Sequence, residues 1–186
     1  MNLVNPPDAL IFDRDGTLIE HVPYLCDPSD VCLSPGVIEA LAVARDAGAR
    51  LFLHSNQSGI GRGLFDLPAV HACNQRLIEL LGASHNIFER ICIATEHPDE
   101  PAVYRKPSPV FAREIMRDFG YAPEQICYIG DRGSDLATAH AAGTRGVGVA
   151  TGLDDLRAEL KDLGLDGLFP VFDSLSDAIG YLFATQ

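Results

Sequence analysis

Residues 9–18 read Ala-Leu-Ile-Phe-Asp-Arg-Asp-Gly-Thr-Leu, so that a short apolar run ends in two aspartates, Asp13 and Asp15, followed by Gly16. Four apolar residues bounded by polar ones are typical of a fully buried strand. Two carboxylates at the end of such a strand repel each other, so other groups must stabilise them there. An acidic turn that only caps a helix would also explain one such sequence, so the remainder of the chain has to decide.

Similar apolar runs recur and alternate with segments of helical periodicity. The predicted strands are 9–12, 50–54, 90–94, 126–129, 146–150 and 168–172. The predicted helices are 37–47, 67–81, 109–119, 134–142, 153–163 and 175–183. This alternation predicts an α/β fold, a Rossmann-like doubly wound parallel sheet that binds ligands beyond the carboxyl ends of its strands.

Bulk properties limit the class of protein. The 186 residues are 47% apolar, which suits a single domain over residues 1–186. With 14 Lys and Arg against 26 Asp and Glu, the net charge of -12 argues against nucleic acid or an anionic membrane as a partner. Residues 1–8 lack the pattern of a signal peptide, and no apolar stretch approaches the ~18 residues of a membrane span. We therefore predict a cytoplasmic protein, and we expect a monomer.

Three further polar clusters follow predicted strands or precede predicted helices. They are Ser55-Asn56-Gln57-Ser58-Gly59, Arg105-Lys106-Pro107 and Gly130-Asp131-Arg132-Gly133-Ser134-Asp135. Together with the aspartate pair and in this order, they resemble the four sequence motifs of the haloacid dehalogenase (HAD) superfamily of phosphohydrolases. The resemblance implies a HAD-like phosphatase domain and makes a purely structural turn at the first motif a poor explanation.

The resemblance also implies roles for five residues. Asp13 would be the nucleophile that forms an aspartyl phosphate, and Asp15 the general acid and base. Ser55 and Lys106 would hold the phosphoryl group, while Mg²⁺ would be bound by Asp13, the backbone carbonyl of Asp15 and Asp131. Positive charges from Lys106 and Mg²⁺ are needed for this attack, because a carboxylate ~4 Å from a phosphate dianion is repelled by about 4 kcal/mol per unit charge at a dielectric of ~20.

Several segments narrow the resemblance to one branch. Residues 13–18, 21–24, 35–41 and 55–63, with Arg105-Lys106-Pro107, look like the D-glycero-D-manno-heptose 1,7-bisphosphate phosphatases and histidinol-phosphate phosphatases. That branch has a minimal cap formed by loops only. We expect a small phosphorylated metabolite as substrate, with the C7 phosphate of the heptose bisphosphate as first choice and histidinol phosphate as alternative. The substrate-binding candidates are Gly16, His21, Tyr24, Asn56, Gln57, Arg62, Arg105 and Arg132, although His21 and Tyr24 could equally be packing residues.

One loop departs from the branch pattern. Members of the branch commonly bind a structural zinc ion through Cys and His residues that precede the Arg-Lys-Pro motif. Here Ala94, Ala102 and Tyr104 stand at the cysteine positions and Glu96 at the histidine position, so no zinc is predicted. The five cysteines are scattered without a paired spacing, and we expect them to be buried reduced thiols.

Some assignments stay open at this point. Asp135 lies where it could interact with a helix N-terminus or support Lys106 or a metal-bound water. Thr17 could be a turn residue or could support the Asp13 carboxylate. A receiver-type signalling module also combines a parallel sheet with a phosphorylated Asp, but its acidic pair is not an Asp-x-Asp-Gly after the first strand. A phosphatase-like binding protein without activity is the other alternative.

Overall fold

A six-stranded sheet with every neighbouring pair parallel lies at the centre of the protein. The computed structural model describes residues 5–82 and 87–184. The strands are β1 (Ala9–Phe12), β2 (Arg50–Asn56), β3 (Phe88–Ala94), β4 (Ile126–Gly130), β5 (Arg145–Val149) and β6 (Val171–Phe172). Their order is β3-β2-β1-β4-β5-β6, which confirms the predicted α/β, doubly wound fold.

Helices cover both faces of the sheet. They are α1 (Val37–Asp46), α2 (Ser58–Gly61), α3 (Leu67–Leu80), α4 (Val110–Phe119), α5 (Gly133–Ala142), α6 (Leu156–Asp162) and α7 (Leu175–Phe183). In β1, Leu10 and Phe12 join a core with α1, α3 and α7, whereas Ala9 and Ile11 join a second core with α4 and α5. Both faces of β1 are buried, which explains why its sequence is continuously apolar.

The register of the central strands fixes where the site can form. Phe12, the last residue of β1, pairs with Leu53 of β2 on one side and with Ile129 of β4 on the other. The chain builds outward from β1 to β2 and β3, and later to β4, β5 and β6 on the opposite side. The carboxyl end of β1 is therefore the switch point where open α/β sheets bind ligands.

Several boundaries differ from the sequence prediction. The last strand begins at Val171 instead of residue 168, and Leu168 is 56% exposed in the preceding turn. Helix α6 begins at Leu156 instead of residue 153, because the Asp155 side chain caps it by accepting from the amides of residues 157 and 158. The short helix α2 was not predicted, since Gly-rich sequence has low helix propensity.

The cysteines correct a second expectation. Cys73, Cys92 and Cys127 are buried free thiols, but Cys26 and Cys32 are exposed, so the prediction of burial was wrong for these two. They lie in the long segment between β1 and α1, which runs over the surface and contains a single 3-10 turn, Pro28–Asp30. None of the helices within residues 5–82 and 87–184 is long and apolar enough to cross a membrane.

Candidate active site

The carboxyl ends of the three central strands bring the predicted catalytic residues together. Asp13 follows β1, and its amide donates to the carbonyl of Ile129 in β4 at 2.9 Å. Ser55 lies near the end of β2, and Asp131 follows β4 directly. Because these strands are hydrogen-bonded neighbours, residues far apart in sequence meet at one edge of the sheet.

Three buried carboxylates form the centre of the site. Oxygen atoms of Asp13, Asp131 and Asp135 lie within 4.8 Å of one another. The Lys106 ammonium donates to Asp13 Oδ1 and to Asp135 Oδ1, both at 2.5 Å, and is itself only 3% exposed. One buried cation therefore balances three potential anions, which leaves the cluster short of positive charge.

The pKa values of Asp13, Asp131 and Lys106 are all shifted upward, which reflects the burial of the cluster and its excess of negative charge. Burial raises the pKa of Asp13 to about 7, against the opposing effect of Lys106, and the nearby Asp135 and Asp15 carboxylates raise it as well. Burial, with Asp13 and Asp135, raises the pKa of Asp131 to about 8. The pKa of Lys106 is raised, because Asp13 and Asp135 outweigh its burial. A bound cation would favour the ionised form of both shifted aspartates.

The free oxygen atoms indicate where such a cation fits. Both oxygens of Asp135 are engaged, Oδ1 by Lys106 and Oδ2 by the Arg132 amide at 3.0 Å, so this residue anchors Lys106 and caps α5 at once. Asp131 Oδ2, in contrast, is buried without a partner within the described part of the chain. Carboxylate oxygens of this kind are the ligands that Mg²⁺ prefers, and Asp13 with Asp131 fits this ion.

Gly16 and Thr17 shape the Asp131 side of the cluster. Thr17 Oγ1 donates to Asp131 Oδ1 at 3.1 Å, so the suggestion that Thr17 supports Asp13 was wrong. At Gly16, φ is +87°, and a Cβ atom would lie 2.4 Å from Asp131 Oδ2. Only glycine follows this turn without a side chain that would clash with this oxygen.

Asp15 is oriented by a fully buried arginine. Arg14 donates through Nε and Nη2 to the two Asp15 oxygens, each at 3.0 Å, and through Nη1 to Asn74 Oδ1 at 2.9 Å. Gln57 Nε2 donates to Asp15 Oδ2 at 2.9 Å and to Ser55 Oγ at 2.7 Å. The carboxylate that was predicted to be the acid and base is thus held in one orientation beside the predicted nucleophile.

Two adjoining cavities open next to these groups, with volumes of about 380 and about 220 Å³. Asp15, His21, Asn56 and Arg132 line both, Tyr24 and Gln57 line the larger, and Asp13 and Lys106 line the smaller. The structure therefore brings six of the predicted substrate-binding and catalytic side chains around the larger cavity: Asp15, His21, Tyr24, Asn56, Gln57 and Arg132.

Three predicted substrate-binding residues do not line these cavities. Arg62 is exposed just after α2. Arg105 donates through Nη2 to the Pro98 carbonyl at 2.9 Å, so its side chain serves the loop that precedes it. Gly16 contacts Asp131 instead, as described above.

Arg132 lines both cavities, but its charge is already paired. Its Nη1 lies 2.8 Å from Asp154 Oδ2, and its Nη2 lies 3.0 Å from Glu159 Oε1. Sequence spacing gave no sign of these partners, which come from the segment after β5 and from α6. These two carboxylates hold the guanidinium beside the cavities.

His54 and Asn56 bind the backbone of the segment that ends at Lys106, a role that was not expected of either residue. His54 is fully buried, and its Nε2 and Nδ1 lie 2.9 Å from the Tyr104 carbonyl and 2.8 Å from the Tyr128 hydroxyl. Burial, assisted by Lys106, lowers the pKa of His54 to about 3, so the neutral ring donates from Nε2 and accepts at Nδ1. Asn56 Oδ1 accepts from the Lys106 amide at 2.9 Å. A histidine inside an apolar strand was the available sequence signal.

A doubly wound sheet with an aspartate pair after β1, a bridging lysine and a further aspartate after β4 defines a HAD-type phosphatase. The family model described as HAD-hydrolase-like matches residues 103–178. A D-glycero-beta-D-manno-heptose-1,7-bisphosphate 7-phosphatase from Pseudomonas aeruginosa is 34% identical over 144 residues, covering 77% of this chain and 81% of the relative. The chain belongs to the HAD-like phosphatases, in the branch of the heptose-bisphosphate phosphatases and HisB.

Two further comparisons agree with this placement. The crystal structure of D,D-heptose 1,7-bisphosphate phosphatase from B. bronchiseptica complexed with magnesium and phosphate superimposes with a TM-score of 0.85 at 28% identity, covering 95% of this chain and 98% of that one. The histidine biosynthesis bifunctional protein HisB from Legionella pneumophila is 31% identical over 136 residues, 72% of this chain and 39% of the relative.

Proposed function

We propose that this phosphatase is Mg²⁺-dependent and hydrolyses a small sugar phosphate through a phosphorylated Asp13. The observation that carries the proposal is the position of Lys106, which contacts Asp13 and Asp135 beside an Asp131 oxygen that has no partner among the described residues. This arrangement provides one fixed positive charge and a binding place for a second next to a single reactive carboxylate.

Electrostatics explains why both charges are needed. A carboxylate that attacks a phosphate dianion meets about 4 kcal/mol of repulsion per unit charge at ~4 Å and a dielectric of ~20. Mg²⁺ would be held by Asp13, Asp131 and the backbone carbonyl of Asp15, and it would supply positive charge next to the phosphoryl group. Lys106 supplies another, and Ser55 Oγ, fixed by Gln57, donates to a phosphoryl oxygen.

Asp15 carries the proton transfers in this proposal. Its carboxyl is held by Arg14 and Gln57 and lines both cavities, the smaller of them together with Asp13. In the first step Asp13 attacks phosphorus while Asp15 gives a proton to the departing alcohol oxygen. In the second step Asp15 takes a proton from the water that attacks the aspartyl phosphate, which releases phosphate, frees the Asp13 carboxylate and returns Asp15 to the protonated form in which it began.

The preferred substrate is D-glycero-D-manno-heptose 1,7-bisphosphate, cleaved at the C7 phosphate. The activity of the relatives supports this choice. The larger cavity supports it too, because its polar lining by His21, Asn56 and Gln57 suits the hydroxyls of a sugar. Arg132 would contact the part of the substrate that lies between the two cavities. Histidinol phosphate is the second candidate, favoured by the similarity to HisB.

A substrate panel tests this proposal. Heptose 1,7-bisphosphate in both anomeric forms, hexose phosphates and histidinol phosphate are compared by kcat/KM from released phosphate, with Asp13→Asn as the inactive control. The heptose bisphosphate should give the highest value, with the C1 phosphate retained in the product and activity lost in EDTA. Preference for histidinol phosphate would reject the heptose choice, and full activity in EDTA would reject the role of Mg²⁺.

A further inference from the structure

The loop between β3 and α4 contains a carboxylate that binds its own backbone. Glu96 Oε1 accepts hydrogen bonds from three consecutive amides, those of Val103 at 3.0 Å, Tyr104 at 2.6 Å and Arg105 at 3.1 Å. Residues 97–102 lie between the carboxylate and the amides, so these bonds close the loop. We call the segment 103–106 the lysine segment, because it ends at Lys106.

The lysine segment is held from two neighbouring strands. Glu96 lies just after the end of β3, whereas His54 and Asn56 belong to the adjacent β2. The His54 ring donates to the Tyr104 carbonyl at 2.9 Å, and the Asn56 side chain accepts from the Lys106 amide at 2.9 Å. The Glu96 bonds thus hold one side of the segment and the β2 bonds hold the other.

We propose that Glu96 is a positioning residue, which holds the lysine segment so that the Lys106 ammonium reaches Asp13 and Asp135. The inference rests on the proposed function, since it assigns Glu96 a part in that same reaction. An ionised carboxylate suits this task, because hydrogen bonds to a charged acceptor are roughly twice as strong as neutral ones. Successive backbone N–H groups that converge on one point form an anion-binding concavity of the kind called a nest.

The charge state of Glu96 agrees with this assignment. Burial alone raises its pKa, but hydrogen bonds from its own amide and from those of Tyr104, Arg105 and Val103 outweigh burial and lower the pKa below the ordinary value. Glu96 is therefore ionised at neutral pH. A second loop carboxylate, Glu100, is exposed and accepts from the His97 amide at 3.1 Å, so it provides a matched control.

Three variants test the assignment: Glu96→Ala, Glu96→Gln and the control Glu100→Gln. Hydrogen exchange of the amides of residues 103–105 reports whether the loop is anchored. Affinity for inorganic phosphate in Mg²⁺ reports whether Lys106 is in place, and kcat/KM with 4-nitrophenyl phosphate reports its effect on the reaction. In Glu96→Ala the amides should lose protection, phosphate should bind more weakly, and kcat/KM should fall about 10- to 100-fold, as displacement of a reacting group by ~1 Å does.

The other two variants sharpen the interpretation. Glu96→Gln keeps a neutral acceptor and should fall between the wild type and Glu96→Ala, and it carries the test if Glu96→Ala does not fold. Glu100→Gln should change kcat/KM by less than about twofold, as surface substitutions do. Unchanged amide protection in Glu96→Ala would overturn the inference, and so would lost protection with unchanged phosphate affinity and kcat/KM. If the wild-type protein hydrolyses no phosphate ester, the proposed function fails. The role of Glu96 is then still decided by the two other measurements, the protection of the amides and the affinity for phosphate.

Discussion

Replacement of Lys106 by methionine removes the cation from the carboxylate cluster while keeping most of the side-chain volume. Its ammonium contacts Asp13 and Asp135 at 2.5 Å, and all three groups are buried. Loss of one partner from a buried ion pair costs about 3–5 kcal/mol. At roughly 2–4 °C per kcal/mol for a chain of this size, Tm should fall by about 6–20 °C without metal. Lys161→Met, at the exposed end of α6, is the matched control and should leave Tm nearly unchanged.

The fall in Tm caused by Lys106→Met should also depend on pH. The folded-state pKa values of Asp13 and Asp131 are raised to about 7 and about 8, so the stability that their protonated forms provide is lost as pH rises through these values. Lys106 lowers both pKa values, and its removal raises them further. Thermal unfolding in EDTA should therefore show a larger fall in Tm at pH 8.5 than at pH 5.5. An equal fall at both pH values, or a rise in Tm, would refute the charge balance described above.

Three other predictions follow from the same site. Asp15→Asn should lower kcat about 10²–10⁴-fold for an alkyl phosphate but less for 4-nitrophenyl phosphate, whose leaving group needs no proton; equal losses would argue against Asp15 as the acid. The Kd for Mg²⁺, measured by calorimetry, should decrease as pH rises from 6 to 9, because protons compete for Asp13 and Asp131 up to their raised pKa values; an affinity independent of pH would contradict this. Gly16→Ala should abolish Mg²⁺ binding and activity, since its Cβ would lie 2.4 Å from Asp131 Oδ2. Gly48 has a similar φ of +89°, but a Cβ there would meet no atom of the described residues within 4 Å, so Gly48→Ala should only lower Tm. Similar Mg²⁺ affinity in both variants would count against a metal at Asp131.

Much of this architecture could be predicted from sequence because its signals are local. The strand β1 is continuously apolar and buried on both faces, and its predicted bounds, 9–12, are those of the structure. The boundaries of β6 and α6 were less accurate, because apolar residues such as Leu153 and Leu168 are exposed in turns and do not belong to the elements that follow. Residue type alone does not separate an apolar residue in a turn from one in a strand.

The candidate site was predictable where its residues follow strands, and less so where tertiary partners decide their role. Asp13, Asp15, Ser55 and Asp131 meet because parallel strands end at the same edge. The pairing of Arg132 with Asp154 and Glu159 depends on packing between distant segments. The role of Glu96 likewise depends on contacts that only the folded chain makes. From the sequence it was known only that Glu96 stands where the resemblance leads one to expect a histidine.

Trapping of the covalent intermediate tests the central claim, the nucleophilic role of Asp13, most directly. Borohydride reduces an acyl phosphate to an alcohol, so quenching of the enzyme during turnover should convert the phosphorylated aspartate to homoserine. Peptide mass spectrometry should find homoserine at position 13 in the wild-type protein with Mg²⁺ and substrate, and not in Asp13→Asn. Homoserine at another aspartate, or full turnover by Asp13→Asn, would contradict the account.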